Sequence, residues 1–173
     1  MIMGLDMYLS SAPKIAGMSL DSVLEIGRNF DRLKQQQYEL YEIVKPHIKH
    51  FEEFGHSWDS IVEEVIYWRK ANQIHNWFVE NLHDGVDEPL FREEVTKENL
   101  QELYKLCVKA LKHKTKPKIH PSSILPTRPG CFFGSISYDN FYYHVINETK
   151  TKLEDVLKNF DFDTHFLFYE CSW

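Results

Sequence analysis

His165-Phe-Leu-Phe-Tyr-Glu-Cys171 closes the chain with Phe166 and Phe168 alternating with Leu167 and Tyr169. Successive side chains of an extended segment point to opposite faces, so a run that is apolar at both positions reads as a central strand covered on both sides. The opening Leu5-Asp-Met-Tyr-Leu9 is different. Leu5, Met7 and Leu9 alternate with Asp6, Tyr8 and Ser10, the period of two of a strand with one buried face. Two such strands at opposite ends of the chain, expected to meet in one small sheet packed by about four to five helices, define an α+β class. The 173 residues suit a single domain spanning 1–173.

Between the terminal strands the pattern is mainly helical. Leu20, Val23, Leu24, Phe30 and Leu33, then Tyr38, Tyr41, Val44, Ile48 and Phe51, predict two helical pieces between Leu20 and Phe54, kinked at Pro46 and ended by Gly55. Ile61 to Tyr67 fits a strand or the start of a helix; Trp68 to Leu82 is expected to be helical. Asp84-Gly-Val-Asp87 and Pro89 form a turn region. Thr96 is placed to cap a helix carrying Leu100, Leu103, Tyr104, Cys107, Ala110 and Leu111 on one face. Residues 112–131, with Pro117, Pro121, Pro126 and Pro129, are expected to be a long mobile loop. Cys131 to Ser135 reads as a short strand, and Asp139 as the cap of a helix running to about Asn159.

Composition narrows the function. Hydrophobic residues are 43% and charged residues 27% of the chain, ordinary globular usage that argues against disorder. No apolar run of about 18 residues predicts a membrane span. Met1 to Tyr8 lacks the basic and apolar regions of a secretory signal. Cys107, Cys131 and Cys171 contain no CxxC and are odd in number, against a disulfide framework or zinc ribbon. The expected location is therefore the cytoplasm. A net charge of −6 argues against duplex nucleic acid as partner. The lysine-rich Lys112-His-Lys-Thr-Lys-Pro-Lys118 reads as a solvated loop or as one that steers phosphate. Self-association is left open.

The densest polar group is Trp68-Arg-Lys-Ala-Asn-Gln-Ile-His-Asn-Trp77. On a helical wheel Tyr67, Ala71, Ile74, Phe78 and Leu82 fall within about 80° of arc as the core face. Arg69, Asn72 and Asn76 form a polar stripe beside it, with His75 between stripe and core. With Trp68 and Lys70 this set suits a planar anion: cations for phosphate, amides for a base edge, an aromatic ring for stacking. The plainer reading is the polar margin of an amphipathic helix, with His75 a satisfied boundary histidine. Ser135, Tyr138 and Asp139 form a second candidate, an anion site at a helix start or a turn with Asp139 as N-cap. His47 and His50 sit at i and i+3 of an expected helix, but HExxH is absent and no third metal ligand is placed. P-loop, GxGxxG and G-x-S-x-G patterns are absent as well. No cofactor is implied.

Met3-Gly-Leu-Asp-Met-Tyr-Leu9, the run Tyr67-Trp-Arg-Lys-Ala-Asn-Gln-Ile-His-Asn-Trp-Phe78, Phe132-Phe-Gly-Ser135 with Tyr138-Asp139, and the terminal Ser172-Trp173 together resemble a family of small proteins encoded by phages and prophages. The resemblance spans essentially the whole chain. It implies a setting, the cytoplasm of an infected host, and no activity. Some phage accessory proteins of this size sequester nucleotide signals of antiviral defence, an analogy of setting rather than of motif.

Three functions follow as expectations. The first is a non-catalytic binding protein for a small anionic, nucleotide-like ligand, with Trp68, Arg69, Lys70, Asn72, His75, Asn76, Ser135, Tyr138 and Asp139 as candidate contacts. The second is a hydrolase of a phosphodiester or N-glycosidic bond with His75 as acid or base. The third is a protein-interaction module that inhibits a host protein.

Overall fold

The computed structural model describes residues 4–114 and 120–173. Strand β1 (Asp6–Pro13) is followed by three short helices, α1 (Leu20–Arg28), α2 (Phe30–Gln36) and α3 (Tyr38–Val44), and a 3-10 turn at Lys45–His47. A hairpin of β2 (Lys49–Glu53) and β3 (His56–Ser60) leads to β4 (Glu63–Arg69) and α4 (Asn72–Leu82). Then come β5 (Arg92–Glu94), α5 (Lys97–Lys114), a 3-10 turn at Pro121–Ser123, α6 (Asn140–Asn159) and β6 (His165–Ser172). The architecture is α+β in one unit. A four-stranded sheet in the order β4-β1-β6-β5 joins the two ends of the chain, antiparallel throughout.

The alternation at the termini has the expected consequence on the main core side, but Ser10, on the face of β1 expected to be open, is buried as well. Leu5, Met7 and Leu9 of the first strand and Leu167, Tyr169 and Cys171 of the last are buried together under α4, α5 and α6. Phe168 points to the opposite face, where Ala12, Ile15, Leu20, Val23, Leu24, Val44 and Ile61 make a second, smaller core. β6 is thus covered on both sides. The α1 cover is close because Gly27 has no side chain; a Cβ there would lie 2.3 Å from Ile61 Cγ2.

Two caps stand where the sequence puts them. Thr96 Oγ1 accepts from Asn99 N at 3.2 Å while Asn99 Oδ1 accepts from Thr96 N at 2.9 Å, a reciprocal box at the start of α5. Asp139 Oδ1 accepts from Phe141 N at 2.9 Å and Tyr142 N at 3.1 Å at the start of α6. Asp139 is therefore a helix cap.

Four expectations are corrected. Leu20 to Phe54 is three helices and a strand, broken at Asn29 and Gln37 and stopped by Pro46; His50 lies on β2, so it shares no helix with His47. Phe54 (φ 49°) and Gly55 (φ 78°) turn the hairpin with two left-handed residues, the backbone whose twist matches paired strands. Trp68 and Arg69 belong to β4, and the helix starts only at Asn72. The run Glu-Glu-Val-Ile-Tyr-Trp-Arg pairs with β1, and left-handed Lys70 (φ 56°) turns the chain away from the sheet. Cys131–Ser135 forms a turn, because left-handed backbone at Phe132 and Gly134 does not keep an extended ladder. In the 112–131 segment, Lys112 to Lys114 end α5, and residues 120–131 fold back with Ile124 and Leu125 buried. The rest of that loop and of the lysine run, 115–119, lies outside the described residues. Among the described residues no helix is long and apolar enough to cross a membrane.

Candidate functional site

The α4 stripe faces inward. Asn72, Gln73, His75 and Asn76 are all buried, because the returning 120–135 segment covers the polar face of the helix. Arg128 is the centre of that cover. Its Nε donates to Asp87 Oδ2 at 2.7 Å, its Nη1 to Asn76 Oδ1 at 2.7 Å and to Glu80 Oε1 at 2.9 Å, and its Nη2 to the Gly85 carbonyl at 3.2 Å. Asn72 completes the join. Its amide nitrogen donates to the carbonyls of Phe133 (3.1 Å) and Ser135 (2.9 Å), and its Oδ1 accepts from Arg128 N at 3.4 Å. The guanidinium fork suits this role, since a planar group with five donors can serve several acceptors at fixed angles.

His75 lies inside the same network with its side chain 0% exposed. Its Nδ1 is 2.7 Å from the Tyr169 hydroxyl and its Nε2 3.0 Å from Asp87 Oδ1. A neutral ring satisfies both partners: Tyr169 donates to Nδ1 and Nε2–H donates to the carboxylate. Burial lowers the His75 pKa below the usual histidine value, Asp87 opposes that shift, and Arg128 adds to it. Burial also raises the Tyr169 pKa well above the phenol range. The ring is thus enclosed, with both nitrogens engaged by protein groups.

The other candidates separate into structural and accessible groups. Trp68 is buried and its Nε1 donates to Thr149 Oγ1 at 3.0 Å. Tyr138 accepts from Thr127 N at 3.2 Å, and Ser135 Oγ accepts from Ser137 N at 3.1 Å. Arg69 and Lys70 remain outside the network. Arg69 is 3.9 Å from Asp6, whose carboxylate also accepts from the Tyr67 hydroxyl; that bond raises the Tyr67 pKa to about 12. Lys70 has no ion pair or hydrogen-bonding side-chain partner among the described residues. Its stem lies against Gly134, where a Cβ would be 3.2 Å from Lys70 Cβ, and its end approaches Gly4 beside the Arg69 guanidinium.

The two clusters, distant in sequence, therefore meet in space through Lys70, which lies against Gly134 and, with Arg69, against Gly4. Phe133, next to Gly134 in the chain, meets Trp173 edge-on at 5.5 Å, and the Trp173 ring is 43% exposed. Trp173 is thus not enclosed in the core. Among the described residues no group of His, Cys, Asp or Glu is arranged to hold a metal ion.

Arg128, Asp87 and Tyr169, the residues that organise the site, carry no motif that singles them out in the sequence. Their one signal is a lone Arg in a Pro-rich stretch whose charge needed a partner. Neither the family models nor the curated proteins nor the solved structures include a match to this chain.

Proposed function

We propose that this chain is a non-catalytic binding protein for a small anionic ligand bearing a planar ring, of nucleotide type, held at the Arg69–Lys70 corner. The observation that carries the reading is that Arg69 and Lys70 both reach Gly4, while Lys70 also packs on Gly134, whose neighbour Phe133 meets the part-exposed ring of Trp173. The cations suit phosphate, and the ring suits base stacking. Asn72, which donates to the Phe133 and Ser135 carbonyls, fixes the Gly134 turn on which Lys70 packs. In the phage setting implied by the sequence resemblance, the ligand is a nucleotide signal of host defence and the function is its capture.

The test uses a panel of linear and cyclic nucleotides incubated with the protein, followed by denaturation and mass spectrometry of the released small molecules. Intact recovery of one nucleotide is expected. Arg69→Ala and Lys70→Ala should each weaken its binding by about 1.5–3 kcal/mol, the scale of a charge-assisted hydrogen bond, with unchanged melting temperatures. Conversion to a product would make the protein an enzyme.

One observation favours a second reading. Phe132, Ile136 and Phe141, close in sequence to the Gly134 turn, and Trp173 are all half or nearly half exposed, apolar surface that suits a protein partner. Failure to retain any nucleotide, with Trp173→Ala abolishing capture of a host protein, would favour it.

A further inference from the structure

On the opposite side of the sheet a cleft of about 450 Å³ lies between the α1–α2 joint and the β2–β3 hairpin. It falls within the range of small-molecule pockets, about 300–1,000 Å³. Arg28 and Asp31 both line it. On one continuous helix residues three apart are neighbours and such a pair would meet. Here the helix breaks at Asn29 (φ −106°, ψ 13°), and no ion pair forms between them. Each is exposed, and neither has a hydrogen bond or ion pair with any other described residue. The cleft is thus bordered by an arginine, which also borders the adjoining clefts toward Arg92, and by an aspartate, neither with an ion-pair partner among the described residues.

The remaining walls supply a ring surface. Trp58 rests on Phe51 with centroids 5.7 Å apart and rings 15° from parallel, and is 46% exposed. Phe30 and Ile48 line the cleft as partly buried apolar groups. The other carboxylate, Asp59, is already engaged by His50 Nδ1 at 2.7 Å, which leaves Asp31 as the open anionic position. Ser57 is the remaining polar lining group.

We propose that this cleft binds a small zwitterion carrying an aromatic ring, an α-amino acid or the end of a short peptide, with its carboxylate on Arg28, its ammonium on Asp31 and its ring against Trp58 and Phe30. A plain anion would leave Asp31 facing like charge, and a plain cation would do the same to Arg28. A ligand with both charges pairs with both groups at once. This site is separate from the Arg69–Lys70 corner and does not depend on the reading given to that corner.

The probe is L-phenylalanine, compared with phenylpropionate, which lacks the ammonium, and phenethylamine, which lacks the carboxylate. Binding is followed by ligand-observed saturation-transfer NMR on the full chain. Phenylalanine should bind at least about tenfold more tightly than either analogue, the scale of one charged hydrogen bond. Arg28→Gln should remove its advantage over phenethylamine, and Asp31→Asn its advantage over phenylpropionate. Both variants should melt with the wild type, since neither side chain has a partner to lose. Equal binding of the three probes, absence of any phenylalanine signal, or retention of both advantages in the variants would overturn the proposal. A variant with a lowered melting temperature would also overturn it, by showing that the group is structurally engaged.

Discussion

His75 shows how a residue suited to chemistry can be committed to structure. Its ring is held between a phenol and a carboxylate that a guanidinium also grips, so a proton added to it has no solvent to share the charge. Its folded pKa is lowered, so below about pH 6.5 the unfolded chain takes up this proton before the native state does. The stability that His75 contributes is present above that pH and is lost as pH falls through the window beneath it. His83 acts in the opposite sense: its bonds to Glu93 and Glu88 raise its pKa, so its contribution is complete in acid and is lost as pH rises through the raised value. Replacing His75 separates the two. In urea unfolding at neutral and mildly acidic pH, His75→Gln should be about 1–3 kcal/mol less stable than wild type at neutral pH, the range for a buried polar group deprived of a partner. The gap should narrow in acid. A constant gap would show that His75 does not titrate differently in the two states.

Element packing turns on single positions of contact. Gly27 lies inside α1, where alanine would favour the helix by about 1 kcal/mol. Against that, the added methyl would sit 2.3 Å from Ile61 Cγ2, a clash with a buried β-branched side chain that has little freedom to turn aside. Overpacking of this kind costs about 1–3 kcal/mol, so the clash outweighs the propensity and Gly27→Ala is expected to lower the melting temperature. Gly27→Ala with Ile61→Ala should lose less than the sum of the two single changes, because the second makes the space that the first needs. Additive losses would show that α1 shifts as a body instead. The joint at Asn29 belongs to this scale too, since it parts Arg28 from Asp31 and leaves both charges open to the cleft.

The whole molecule is closed by its two ends. β6 lies between β1 and β5, and its last residues pair Cys171 with Met7 and Ser172 with Asp6. Cys171 is enclosed, and burial raises its thiol pKa to about 12, so it behaves as a small apolar core group. Deleting Cys171 to Trp173 removes that group and the ladder bonds around it, and should lower stability by about 1–3 kcal/mol in thermal or urea unfolding. Trp173→Ala alone should cost less, about 1 kcal/mol or below, because nearly half of the ring is already in water. Equal losses from the two changes would place the stabilisation in the tryptophan.

Sequence by itself determined the parts governed by local periodicity and local hydrogen bonding. The alternations at Leu5–Leu9 and His165–Cys171 identify two strands, because a pleated backbone sorts side chains by parity, but the cover over the second face of β1, which buries Ser10 and Ala12, is not legible in its polar positions. Thr96 and Asp139 announce their helices, because a cap satisfies amides within three residues of itself. What only the tertiary structure decided is the fate of groups whose partners are remote. The wheel joined Arg69 to Asn72 and Asn76, but pairing of Glu63–Arg69 with β1 overrode the helical pattern and put Arg69 on a strand. The same polar face of α4 could have met water, a ligand or another segment. Arg128, 52 residues beyond Asn76, made it an internal joint. Periodicity carries no information about which distant charge will cover a helix; the competition between solvent and a folded-back loop is settled only when the whole chain has closed.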